Sequence, residues 1–116
     1  MAPNTASSLY GNLDLLVLRT VEARGPIHGL GIMDAIEETS QQSIEVEDGA
    51  LYRCLHRLER RRLLSAEWRM SEKQRRAKFY ALTASGGAEL AKARAEWERH
   101  TRAVGRVLGL NLEITS

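Results

Sequence analysis

The stretch DGALYRCLHRLERRRLLSAEWRMSEKQRRAKFYALT, residues 48–83, carries two hydrophobic periods in succession. In its first half, Asp48 to Arg62, Leu51, Leu55 and Leu58 recur at steps of four and three and form one narrow stripe. Tyr52, Arg53, His56, Arg57 and Arg60 fall off that stripe. A helix with one docked side and a basic outer side is the expected result. From Leu64 the period drops to two. Leu64, Ala66 and Trp68 alternate with Ser65, Glu67 and Arg69 as far as Met70; from Ala77 to Leu82, Phe79 and Ala81 alternate with Lys78, Tyr80 and Leu82. Two such runs around Ser71-Glu72-Lys73-Gln74-Arg75-Arg76 predict a hairpin with a polar, cationic tip. That tip has no glycine, so a tight two-residue turn is not expected.

Upstream, a first helix is predicted from Leu13 to Arg24, with Asn12 as N-cap and Leu13, Leu16, Val17, Thr20 and Val21 on one face. Gly25-Pro26 stops it. A second helix follows from Gly29 to Thr39 with Ile32, Met33 and Ile36 inward, and Ser40 to Ser43 is a polar connection. Downstream, Thr83 caps a final helix reaching about Leu108, whose first turn Gly86-Gly87 weakens. Leu90, Ala93, Trp97, His100, Val104 and Val107 follow alternating three- and four-residue steps along it. That seam has coiled-coil spacing and reads as a homodimer interface; docking on the chain's own core is the other reading. The fold class is mainly α with a small β-hairpin: a winged helix-turn-helix plus a long C-terminal dimerisation helix. The expected division is a flexible tail over 1–8, a DNA-binding domain over 9–83, the dimerisation helix over 84–109 and a tail over 110–116.

The composition fits that plan. A chain of 116 residues makes one domain with a single core. No apolar run approaches the length of a membrane span and residues 1–8 lack the pattern of a signal peptide, so the expected location is cytoplasmic. Cys54 is the only cysteine, which excludes an internal disulfide; in its apolar-periodic setting it reads as a small core residue before it reads as a redox sensor. The net charge is only +2, yet the segment from Leu51 to Tyr80 holds ten cations against Glu59, Glu67 and Glu72, leaving the remainder net acidic. A basic block on an acidic chain points to a polyanion, although charge runs also serve as plain solvated faces.

The physical logic of such a plan is that the major groove admits a helix and displays a base-edge pattern unique to each pair. The third helix would enter it, with Arg53, His56 and Arg57 toward base edges and Tyr52 donating to a phosphate or bracing the hairpin. Lys73, Arg75, Arg76 and Lys78 on the hairpin would reach phosphates or the minor groove of double-stranded DNA. Arg61 and Arg62 lie where a helix end meets its dipole, and Arg62 reads as a terminator. Glu45, Glu47 and Asp48 work against this plan, since they suit the helix dipole but repel phosphates. An enzyme finds no support: His28, His56 and His100 are scattered, no metal-ligand spacing or nucleophilic set is present, no cofactor is implied, and Gly29-Leu30-Gly31 is not a dinucleotide loop. His28 reads as a turn or packing residue. A protein-interaction adaptor on the same fold is the alternative. Trp97 reads as interface core or as the wall of a small-molecule effector pocket at that interface.

At these residues the chain resembles the PadR family of winged-helix regulators. Leu13 to Leu18 resembles the family's first-helix pattern, and Gly25-Pro26-Ile27-His28-Gly29-Leu30-Gly31-Ile32 is similar to its G-P-x-H-G-Y-G-I segment, with Leu30 for tyrosine. Gly49 to Glu59 is similar to G-S-L-Y-P-A-L-x-R-L-E, with Ala50 for serine and Arg53 for proline; Arg75 to Thr83 resembles the wing R-R-x-K-Y-Y-x-L-T. The resemblance implies a dimeric transcriptional regulator of the short C-terminal subgroup, usually a repressor, whose last helix contributes to dimerisation on a palindromic operator. It also implies that acids are tolerated before the third helix. Losing a hydroxyl at Ala50 and gaining a cation at Arg53 alters the expected DNA footprint.

Overall fold

The computed structural model describes the backbone of residues 4–111 and the side chains of residues 12–111. In chain order the elements are α1 (Asn4–Arg24), β1 (Ile27–His28), α2 (Gly29–Thr39), α3 (Asp48–Arg60), β2 (Leu64–Met70), β3 (Arg76–Leu82) and α4 (Ala84–Leu108). Helix α1 begins earlier than expected. Asn12 is an interior position and not an N-cap, and residues 4–8, expected as a tail, continue the helix. After Pro3 the sequence holds no proline until Pro26, and serine or asparagine inside a helix costs only tenths of a kcal/mol, roughly. Residues 1–3, and 112–116 of the expected C-terminal tail, lie outside the described residues.

Helix α3 is the keystone of the core. Leu51, Leu55 and Leu58 are fully excluded from water and Cys54 nearly so, packed with Val17, Leu18 and Val21 of α1 and Ile32 and Ile36 of α2. Each buried leucine contributes about 1.5–3 kcal/mol, so this stripe fixes which side of α3 is left outward. The helix stops where its backbone turns left-handed at Arg62 (φ 64°). The amides of Arg62 and Leu63 then return to the carbonyls of Glu59 (2.9 Å) and Leu58 (3.0 Å). This is a Schellman closure with arginine where glycine is usual, and it makes Arg62 the terminator.

The sheet has three antiparallel strands in the order β1-β3-β2. Strand β1 stands where a turn was expected; its two residues pair Ile27 with Tyr80 and His28 with Phe79. In β2–β3, Leu64 lies opposite Leu82, Ala66 opposite Tyr80 and Trp68 opposite Lys78, so these residues share one face. Near the helices that face enters the core, with Leu64 and Tyr80 buried. Phe79 is on the other face, its ring 5.2 Å from that of His28 and beneath the Arg69 guanidinium at 5.0 Å.

The Thr83 hydroxyl caps α4, accepting from the Gly86 amide (2.9 Å) and donating to the Arg62 carbonyl (2.8 Å). A Cβ on Gly86 would stand 2.1 Å from the Leu63 carbonyl oxygen. The glycine that weakens this first turn is therefore what allows α4 to seat on the end of α3. One seam residue changes its assignment here: Leu90, expected at the dimer interface, is 1 % exposed within the chain's own core and is closed to a second subunit. Beyond it α4 is mostly exposed. The molecule measures 50 × 28 × 26 Å with a radius of gyration of 15.4 Å, where a compact chain of this length has about 13 Å, as expected if α4 projects beyond the core.

Candidate nucleic-acid interface

With the leucine stripe buried, the opposite crest of α3 carries Gly49, Arg53, His56 and Arg60 at helical spacing. Arg53, His56 and Arg60 are exposed, and Tyr52 flanks the crest on the side of the sheet at 54 % exposure. The Tyr52 ring rests on the start of α2: a Cβ on Gly29 would meet its Cε1 at 3.0 Å and its hydroxyl at 3.1 Å. The α2 N-terminus is in turn capped by the His28 imidazole, whose Nδ1 accepts from the Gly31 amide at 2.9 Å. His28 thus ends β1, packs on Phe79 and caps α2.

The acids at the start of α3 are turned to local use. Glu47 is the N-cap, its carboxylate accepting from the Ala50 amide at 2.7 Å and lying 3.9 Å from the Arg53 guanidinium. Asp48 sits in the first turn, where the helix dipole favours negative charge. Glu47 therefore spends its charge on the helix end and beside Arg53.

Two of the expected DNA-binding residues, Arg57 and Lys78, are ion-paired within the chain. Arg57 points to the α1 side of the crest, where its guanidinium donates to Asp14; that carboxylate also accepts from the Cys54 thiol at 3.0 Å. The Asp14 hydrogen bond holds the Arg57 guanidinium protonated more firmly than usual. Burial, followed by the Asp14 carboxylate, pushes the Cys54 thiol well above the ordinary range, so the thiolate needed for redox chemistry is disfavoured. Lys78 donates to Glu59 of α3 at 2.7 Å, and this bond raises its pKa; its ammonium lies 5.8 Å from the Tyr80 ring centre. Both cations fasten elements of the domain together: Arg57 ties α3 to α1 and Lys78 ties the hairpin to α3. Their partners lie 43 and 19 residues away in sequence, beyond the reach of any local pattern.

Of the other hairpin cations, Arg69 pairs with Glu67 at 2.9 Å. Lys73, Arg75 and Arg76 are exposed and, with Arg60, carry no ion pair among the described residues. The tip is closed by the Ser71 amide donating to the Arg75 carbonyl (2.8 Å) and by Gln74 in a left-handed conformation (φ 58°). The Arg76 guanidinium lies over the Trp68 ring at 5.2 Å. Between the hairpin and the start of α2 runs a cleft of about 800 Å³, lined among others by Leu30, Asp34, Tyr52, Trp68, Lys73 and Arg76. Arg60 was expected on the basic outer side of the helix but not among the residues touching DNA; the spacing of seven from Arg53 and four from His56 places all three on one line.

On α4, Ala93 and Trp97 are half-buried, while His100, Val104 and Val107 are exposed, Val107 at 86 %. The Trp97 ring meets that of His100 edge-on, 6.0 Å between centres. Among the described residues no cluster of His, Cys, Asp or Glu has the makings of a metal site, and no helix is long and apolar enough to cross a membrane.

Three helices, a three-stranded sheet with a cationic hairpin and a trailing helix define a winged-helix protein with its basic edge on α3 and the wing. The family model of the transcriptional regulator PadR-like family matches residues 15–92, and the chain belongs to that family. Among solved structures, a PadR family transcriptional regulator from Eggerthella lenta is 28% identical with a TM-score of 0.72, covering 93% of this chain and 92% of its own. A PadR-like transcriptional regulator from Bacillus cereus, at 20% identity, shares the fold at a TM-score of 0.74, with 88% and 96% covered. An uncharacterized protein of Lysinibacillus sphaericus is 26% identical over 89 residues, 77% of this chain and 81% of its own length.

Proposed function

We propose that this chain is a sequence-specific DNA-binding repressor that grips a palindromic operator as a homodimer. The observation that carries this reading is the edge formed by α3 and the wing. Arg53, His56 and Arg60 stand on the crest of a helix docked by its opposite side, and Lys73, Arg75 and Arg76 stand free on the hairpin beside it. A guanidinium reads guanine bidentately in the major groove, while the wing cations neutralise flanking phosphates. Ala93, Trp97, His100, Val104 and Val107 join α4 to its copy in a second subunit, which places two α3 crests on successive turns, about 34 Å apart. Trp97 is the natural wall for an aromatic effector that alters this geometry and releases the DNA, because an indole at a subunit seam offers a face for stacking.

The experiment is to map the DNA protected by the purified protein near its own gene, then to compete that site with random duplex. A two-fold symmetric footprint that random duplex displaces only at a large excess is expected. Equal competition by both would leave an adaptor that binds polyanions without reading sequence.

A further inference from the structure

Among the described residues, the large apolar side chains left exposed fall into two groups. Val104, Val107, Leu108 and Leu110 sit at the end of α4, where a second subunit is proposed. Leu30, Tyr52, Trp68 and Met70 sit on or beside the cleft between the wing and α2. The second group has no role in the core. Trp68 is on the same face of the sheet as Tyr80 and Leu82, but the hairpin runs past the helical body, so its indole stays 55 % exposed. Arg76 leans on that indole at 5.2 Å, which extends a cation beside an apolar plate.

The cleft's charge identifies its occupant. Its walls hold Lys73, Arg75, Arg76 and Lys78 against Asp34 and Glu72, and Lys78 is engaged by Glu59. A DNA strand presents phosphates and apolar deoxyribose faces in alternation, which matches guanidinium and indole side by side. Tyr52 belongs both to this cleft and to the flank of α3, so a strand lying here borders the groove that the α3 crest faces.

We infer that the wing cleft seats one sugar-phosphate strand of the operator, with Trp68 packed on deoxyribose and Arg76 on the adjoining phosphate. This rests on the DNA-binding reading above and adds an interaction that reading did not include. Packing of a neutral ring releases no counterions, so Trp68 contributes affinity that salt does not screen, in contrast to Arg76.

The test uses the full chain and an operator duplex, with binding followed by the anisotropy of an end-labelled duplex and, separately, tryptophan emission with unlabelled duplex. The native protein is expected to show quenched or acrylamide-shielded emission at saturation, and Trp68→Phe, which retains Trp97, to lose that change while binding a few-fold more weakly. Trp68→Ala is expected to weaken binding about tenfold with an unchanged slope of log K against log salt, whereas Arg76→Ala flattens the slope. If anisotropy rises while emission and shielding stay as in the free protein, and Trp68→Ala binds like the native chain, the inference is overturned and the DNA-binding reading stands. Shielding of Trp68 by small aromatic compounds but not by duplex would also overturn it. If anisotropy never rises, both fall together.

Discussion

The α3–wing edge and the far half of α4 are both surfaces that folding leaves unfinished, and they are unfinished in opposite ways. At the first, the domain spends Arg57 on Asp14, Lys78 on Glu59 and Arg69 on Glu67, and leaves Arg53, Arg60, Lys73, Arg75 and Arg76 outward. At the second, Glu98 pairs with Arg102 while Arg99 and Arg106 stay exposed, and what sets this surface apart is the apolar group left outward among them: Val104, Val107, Leu108. A surface unfinished in charge calls for a polyanion and responds to salt. One unfinished in apolar area calls for another apolar face and does not. The two sides of α3 repeat the lesson on a smaller scale: Arg57 is hydrogen-bonded to Asp14 of α1, whereas Arg53 has only the looser, exposed Glu47 carboxylate at 3.9 Å and Arg60 has no ion pair among the described residues.

Breaking the apolar surface should have the largest effect. Val104→Asp with Val107→Asp places two charges per subunit in the seam, and light scattering should report a monomer at micromolar concentration. Operator affinity should fall at least a hundredfold as one half-site is lost, with the fold itself intact by circular dichroism. Next comes the charged surface. Arg75→Ala with Arg76→Ala should weaken operator and random duplex alike and flatten the slope of log K against log salt by about 3–4 per dimer, at roughly 0.9 for each phosphate that is no longer neutralised. The two sides of α3 then separate. Arg53→Ala should relax base preference at a cost of about 1–3 kcal/mol. Arg57→Ala should leave base preference nearly unchanged and cost at most about 1 kcal/mol of folding stability, because its half-exposed pair with Asp14 is screened by water.

The smallest effect concerns Cys54. Its thiol pKa is raised in the folded state above the ordinary 9.0, so the folded chain holds this proton after the unfolded chain has begun to lose it. The stabilisation is complete below about pH 9 and is lost progressively as pH rises above it. Thermal denaturation from pH 8 to 11 should show a steeper alkaline decline in the native chain than in Cys54→Ala, and the native thiol should resist alkylation at pH 8.

Much of this molecule is legible from its sequence because the period carries it. The α3 stripe, the two hairpin strands and the Thr83 cap are read from residues within one turn or one strand of each other. What escapes the sequence depends on distant partners. Strand β1 has only two residues and exists because Tyr80 and Phe79 lie beside it. Leu90 fits a coiled-coil seam equally well whether it meets a second subunit or its own core, and only the fold decides. Arg57 and Lys78 are indistinguishable from their free neighbours until α1 brings up Asp14 and α3 brings up Glu59. Arg60 was legible as part of the basic outer side, and following the helical line from Arg53 through His56 adds it to the candidate contacts.

The most direct test of the central claim is the affinity of the purified protein for the site mapped by its footprint and for a scrambled duplex, measured between 50 and 200 mM salt. A slope of about −5 to −7 shared by both, set by roughly six to eight cationic groups per dimer at the phosphates, is expected, with the operator bound at least a thousandfold more tightly throughout. Equal affinity for the two duplexes, or a slope near zero, would contradict it.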